Sequence, residues 1–241
     1  LWRHDAETNL SLQKRMGNMI IREKNFKHKV ALSPSRIDKY LNCSALYAAT
    51  YLYKIPDYGN SGSKRGSVTH DVLEILHNDR HKDKVDQILE QETCKNLGGV
   101  WKLVIRFAKK YGVNNQDDLD LIDKFIYVAL KTGFFGPPGT VKIYSEKTFD
   151  FEVEDAGISY RLKGFIDRSF VYERGGNLYI KIADWKTSKE KYKPEELLEN
   201  NQSICYQLAV IRYLFPDIKM DSFEFIFVKF PKNPIISIEL M

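Results

Sequence analysis

Cysteine is scarce in this chain: three in 241 residues, Cys43, Cys94 and Cys205, far apart and in no C-x-x-C pair. An odd number at such spacing gives neither a disulfide framework nor a zinc-ligand pattern, so the reducing cytoplasm is the expected setting. Long apolar runs are missing too. The most apolar stretch, Ala45 to Tyr53, falls far short of the roughly 20 residues that cross a bilayer, and the charged opening LWRHDAETNLSLQKRMG does not read as a secretory signal. No membrane attachment is expected. There is no G-x-x-x-x-G-K-S/T run, no internal repeat and no low-complexity tract. A strong charge bias is absent as well: a formal charge of +5, from 37 Lys plus Arg against 32 Asp plus Glu, suits a polyanionic partner without requiring one.

What is present reads as one large folded domain or two small ones, with 43% hydrophobic and 29% charged residues. Residues 1–31 are polar and basic with little periodicity, and are expected to be a partly helical arm or lead-in. Ser33-Pro34-Ser35 supplies a cap hydroxyl and a first-turn proline, and the apolar spacing after it predicts a helix over about 35–53. A loop rich in turn formers, Pro56 to Gly66, precedes a second amphipathic helix carrying Val68, Val72, Leu73 and Leu76. Residues 82–132 continue as helices, with breaks expected near Gly98-Gly99 and near Val113-Asn114-Asn115. After Gly136-Pro137-Pro138-Gly139 the pattern alternates, predicting strands from about 141, at 158–172 and at 177–186. A helix over 200–214 and further sheet at 221–230 and 235–240 complete an α/β order: a small central mixed sheet flanked by helices, with a helical insertion at about 82–132.

The most informative local feature is Asp184-Trp185-Lys186, read with Asp167 across the Gly175-Gly176 turn. A hairpin closed symmetrically between the glycines sets the two aspartates opposite each other, with Cβ atoms roughly 4.5–5.5 Å apart. Two carboxylates so close call for a shared proton or a divalent cation. Lys186 shares the face of Asp184, because strand side chains alternate with period two. Such a group equips a protein for phosphodiester hydrolysis, although an isolated D-x-K equally fits ordinary charges at a strand exit.

Four motifs in order, GSVTHDVLE (Gly66 to Glu74), GFIDR (Gly164 to Arg168), DWKTSK (Asp184 to Lys189) and QSICYQLAVIRYLFP (Gln202 to Pro216), resemble those of the RecB-like branch of the PD-(D/E)XK nuclease superfamily. The resemblance implies a restriction-endonuclease-like core over residues 32–241. It also implies a metal site of His70, Asp167, Asp184 and the backbone carbonyl of Trp185, holding one or two Mg²⁺ or Mn²⁺ ions. Lys186 matches the motif lysine, and Gln202 and Tyr206 match the Q-x-x-x-Y element beside the site. Glu146 is a further candidate acid, as relatives often carry one there, or a solvent-facing carboxylate. Ser35, Arg36 and Tyr40 resemble the start of the family, where such residues face nucleic acid, and Lys64 and Arg65 are candidate phosphate contacts or simply solvated charges.

Some relatives bind an iron–sulfur cluster through four cysteines. Cys43 stands where the first would be, but none follows Cys205, so no cluster is expected within these residues. The resemblance thus implies a stand-alone, metal-dependent DNA exonuclease acting on ends or single strands in recombination, repair or replication, with the segment 82–132 as a cover over the site. The alternatives are a flap- or branch-specific endonuclease and a non-catalytic nucleic-acid-binding module. A mitochondrial setting is the alternative to the cytoplasm, since organellar exonucleases of this branch exist.

Overall fold

The computed structural model describes residues 20–22 and 27–239. Among these residues seven strands form one sheet: β1 Ile20–Arg22, β2 Ala31–Leu32, β3 Thr140–Asp155, β4 Ile158–Arg174, β5 Asn177–Lys186, β6 Lys219–Phe227 and β7 Ile235–Glu239. Their order is β1-β3-β4-β5-β6-β7, with β2 beside β4. The pairs β5/β6 and β2/β4 are parallel and the rest antiparallel, so the sheet is mixed, as expected. It is larger than expected, because strands appear early in the chain. Most of the expected arm lies outside the described residues, but Ile20–Arg22 is a strand on β3, not a helical lead-in. The exposed edge of a 16-residue β3 offers unpaired backbone groups that such a strand satisfies.

The helices are α1 Pro34–Asn42, α2 Ser44–Tyr47 widening into a π turn at Ala48–Leu52, α3 Ser61–Leu76, α4 Lys82–Gln91, α5 Gly98–Tyr111, α6 Gln116–Lys131, α7 Glu196–Glu199 and α8 Asn201–Ala209, which widens at Val210–Leu214. The single helix expected over 35–53 is broken at Cys43. That residue takes φ −162° and ψ 102°, and its Sγ accepts the Leu46 N–H, so it caps a new helix instead of continuing the old one. Near the expected break at Gly98-Gly99, the chain turns at left-handed Glu92 and the glycines open α5.

Each face of the sheet has its own core. Helices α3 to α6 bury Val72, Ile88, Val104 and Ile126 with Phe170, Ala183 and Trp185 of the sheet. On the other face α8 buries Leu208 and Ala209 with Phe149, Ile182 and Phe223. The segment 82–131 therefore packs behind α3 and does not cover the groove that fronts Asp167, which residues 29–52 wall instead. The apolar stripe of α5 explains this: it is buried against the core and leaves no face to spare.

Gly175 and Gly176 both have positive φ, 60° and 76°, the two-residue turn that matches strand twist. Pairing runs from Arg174↔Asn177 to Arg168↔Ala183, the symmetric register, and carries Asp167 and Asp184 to adjoining strand positions. At its other end β4 pairs with β2 only at Arg161 and Leu162. Residues 163–167 thus keep β3 on one edge and have no ladder pairing on the other, a notch in the sheet.

Candidate active site

Two groups of polar side chains meet at the notch. In the first, His70 of α3 places Nδ1 3.2 Å from Asp167 Oδ2, and its Nε2 lies 3.1 Å from the Trp185 carbonyl oxygen. That carbonyl orients the ring, so that Nδ1 is turned toward the acids. Trp185 N–H donates to Asp167 Oδ2 at 3.3 Å. Glu146, in the left-handed region at φ 49°, brings its carboxylate to the same place. A ligand atom from each of His70, Glu146 and Asp167 lies within 4.8 Å of the others, the one such cluster among the described residues. A strained non-glycine backbone is kept where the surroundings over-determine it, as at functional sites.

The second group is a polar chain on the other side of Asp167. Asp184, 1% exposed, accepts from Gln202 Nε2 at 2.7 Å and lies 2.5 Å from Lys186 Nζ. Lys186 Nζ donates to Gln202 Oε1 at 2.5 Å, and Gln202 Nε2 also donates to the Tyr206 hydroxyl at 2.8 Å. Gln202 and Tyr206 share a helix face one turn apart, which lets one glutamine hold acid, ammonium and phenol together. Asp184 thus stands beside the three-residue cluster, engaged by Lys186 and Gln202, while Glu146 is inside it.

Glycines set how closely the elements approach. A Cβ on Gly66, one turn before His70, would stand 2.8 Å from Thr187 Oγ1, so the glycine lets α3 close on the end of β5. A Cβ on Gly164 would lie 2.6 Å from Phe149 Cζ. The bare strand there seats the Phe149 ring, which packs edge-on against Tyr206 at 6.0 Å.

The electrostatics describe a site short of positive charge. Burial and the Asp167 carboxylate push the Glu146 carboxyl up to about 7. Burial and the Asp184 carboxylate push Asp167 up to about 6. Burial alone would depress the Lys186 ammonium, but Asp184 and Asp167 overrule it, and its pKa is raised. Tyr206, buried and near both aspartates, is raised well above the usual phenol range. One imidazole nitrogen and two mutually repelling carboxylates are the donor set of a hard divalent cation such as Mg²⁺ or Mn²⁺, so the residues fit such an ion.

In front of the cluster a groove of about 860 Å³ runs between α1, the π turn after α2, and β4. Ser35 and Arg36, two of the candidates for facing nucleic acid, line it. Tyr40 does not: 57% exposed, its ring packs edge-on against Tyr47 at 5.5 Å. Lys64 and Arg65 face the helical lobe, not the groove. Arg65 is ion-paired with the nearly buried Asp118 of α6, and Lys64 Nζ lies beside Gly112 at the end of α5. Helix α3 turns these positions by roughly 100° or more from His70, so they cannot share its face. Sequence reasoning passed over Arg161, Lys163 and Phe165, although the two-residue spacing that ends on Asp167 marks them.

The family model described as the PD-(D/E)XK nuclease superfamily matches residues 31–232. The chain is similar to an ATP-dependent helicase/deoxyribonuclease subunit of Carboxydothermus hydrogenoformans, 29% identical over 209 residues that make up 77% of this chain and 19% of that protein. The protein of the same name from Clostridium perfringens is 26% identical over 191 residues, 69% of this chain and 16% of that protein. That of a Thermoanaerobacter species is 25% identical over 191 residues, 71% and 17%. The chain thus spans less than a fifth of the length of these relatives. With the family model covering most of the chain, and His70, Asp167, Asp184 and Lys186 gathered at one notch of a mixed sheet, this protein belongs to the PD-(D/E)XK nuclease superfamily, in its RecB-like branch.

Proposed function

We propose that the protein is a divalent-metal-dependent deoxyribonuclease that removes nucleotides from DNA ends or single strands, in DNA repair or recombination, in the cytoplasm. The observation that carries this reading is the convergence of His70, Glu146 and Asp167 beside an Asp184–Lys186–Gln202 chain. His70, Asp167 and Asp184, with Glu146 and the Trp185 carbonyl as further donors, would hold one or two Mg²⁺ or Mn²⁺ ions. A divalent cation bound there supplies Lewis acidity toward a phosphate oxygen and toward water.

The protein's own groups do the rest. With its pKa raised, Lys186 stays an ammonium at neutral pH, which supports a role in stabilising charge on the phosphate over one as a base. Gln202 fixes that ammonium against Asp184, and Tyr206 fixes Gln202. Glu146, pushed up to about 7, is suited to exchanging a proton near neutrality.

The test is a time course on single- and double-stranded DNA, labelled separately at 5′ and 3′ ends, with Mg²⁺, Mn²⁺ or EDTA. Metal-dependent release of label is expected, and its loss in Asp184→Ala and Lys186→Ala. Undiminished activity in either variant overturns the assignment, and cutting of a closed single-stranded circle overturns the end requirement.

A further inference from the structure

Strand β4 carries Arg161, Lys163, Phe165 and Asp167 at alternate positions, and all four line the groove. Successive members of this row are about 6.6 Å apart along the strand. Such a step is of the order of one nucleotide of a stretched single strand. The row also crosses the notch, since β2 stops pairing at Leu162 and β5 starts at Arg168.

The chemistry changes along the row. At its far end Arg161 is held by a two-pronged pair with Asp150, both contacts 2.7 Å, while Lys163 comes only within 4.0 Å of the same carboxylate and is mostly exposed. Opposite them Arg36 is fixed by donating to the Ala31 carbonyl at 2.7 Å, its guanidinium 4.5 Å over the Tyr51 ring. At the near end stand the acids, Glu146 and Asp167.

Phe165 separates the two ends and is 51% exposed. Its strand neighbours face the packed side: Gly164 lies against Phe149, and Ile166 is fully buried. A large apolar ring open to solvent beside charged groups costs hydration unless something flat covers it. Within a duplex the base faces are already stacked on one another, so an unpaired base can use this ring and an internal pair cannot.

We propose that this row is a track for an unpaired DNA strand, on which Phe165 stacks the base next to the scissile phosphate and Lys163, with Arg36 opposite, lies along the backbone leading to it. The track rests on the nuclease reading for its direction, since it delivers a phosphate to Asp167. It selects single strands by a flat contact that bases paired within a duplex cannot make.

Binding in EDTA, followed by fluorescence anisotropy with labelled oligo(dT) and with a blunt hairpin duplex, tests it without any cleavage. Phe165→Ala is expected to weaken oligo(dT) binding at least about fivefold, with Phe165→Trp restoring it, and to leave duplex binding unchanged. Lys163→Ala is expected to lower the slope of log affinity against log salt by about 0.7. Thermal melts of Phe165→Ala matching the unsubstituted protein show that the fold is kept, as expected for a half-exposed ring. Equal oligo(dT) binding by Phe165→Ala and the unsubstituted protein overturns the track, as does an equal loss on both DNAs. Failure of the nuclease reading looks different: no metal-dependent cleavage by the unsubstituted protein, whatever Phe165 does to binding.

Discussion

Replacing Asp167 by asparagine should raise the melting temperature of the metal-free protein. The carboxyl moves from an ordinary 3.8 to about 6 because it is buried beside Asp184. That difference, 6 − 3.8, at 1.36 kcal/mol for each pKa unit, is about 3 kcal/mol withheld from the fold once the group is ionised. Asparagine is neutral, keeps the size and can still accept the Trp185 N–H, but it gives up the close contact with His70. The attraction of His70 is already inside that shift, so the expected gain is about 3 kcal/mol. For a domain of this size, that is about 6–12 °C.

The pH dependence fixes the cause. An acid whose folded pKa is raised takes nothing from stability below about pH 4, where it is protonated in both states. Between about 4 and 6 the unfolded chain gives up its proton first and stability falls, and above 6 the loss is complete. The gap between variant and unsubstituted protein should therefore open across pH 4–6 and stay open at 7.5. Adding Mn²⁺ should shrink the gap, since an ion at 100 times its dissociation constant stabilises the unsubstituted protein by about 2.7 kcal/mol and the variant by less. Calorimetric melts in EDTA and in Mn²⁺ at pH 4, 5.5 and 7.5 measure this. A variant that melts lower in EDTA at pH 7.5, or a gap that is the same at pH 4, would refute the reasoning.

Two further substitutions address packing. Gly164→Ala puts a Cβ 2.6 Å from Phe149 Cζ and should cost about 1–3 kcal/mol in urea unfolding, with a lower kcat because the Phe149 ring supports Tyr206; unchanged stability would mean that the ring swings aside freely. Arg65→Ala leaves Asp118, 8% exposed, without its cation and should cost about 1–3 kcal/mol while DNA affinity is kept. A loss of DNA affinity with stability intact would return Arg65 to the phosphate-contacting surface.

Much of the site was legible because its spacing is short-range. Hairpin register follows from two glycines that accept positive φ, so the meeting of Asp167 and Asp184 could be counted from the turn. The i, i+2 relation of Asp184 and Lys186 and the i, i+4 relation of Gln202 and Tyr206 are equally local. What could not be read depends on distant partners. Arg65 looks like a surface cation until α6 brings Asp118 to it, and the first helix looks continuous until Cys43 turns outward to cap the next. The segment Ile20–Arg22 has too few residues to show a strand pattern, and only the edge of β3 makes it one. Glu146 was equally ambiguous, because nothing in its neighbours announces a left-handed residue.

That left-handed residue explains why the chemistry sits where it does. In β4 the even positions Leu162 and Ile166 face the core under α8, yet the even position Phe170 faces the core under α3. In β3 the odd position Ile143 packs against the core under α3 and the even Tyr144 against the core under α8, whereas the odd Phe149 and Phe151 face the core under α8. The pairs Ser145↔Arg168 and Lys147↔Ile166 hold on either side, so both strands swap faces together, at Glu146 and Asp167. A regular strand would send one of every two successive side chains into each core, and a carboxylate pushed into either would need a partner there. At the swap neither core claims the side chain. Glu146 and Asp167 are directed instead to the notch, where pairing with β2 has ended and pairing with β5 has not begun, and where His70 reaches in from α3 and the Asp184–Lys186 pair from β5. The break in alternation that blurred the sequence pattern is thus the feature that frees two acids from the cores and gathers them at one edge.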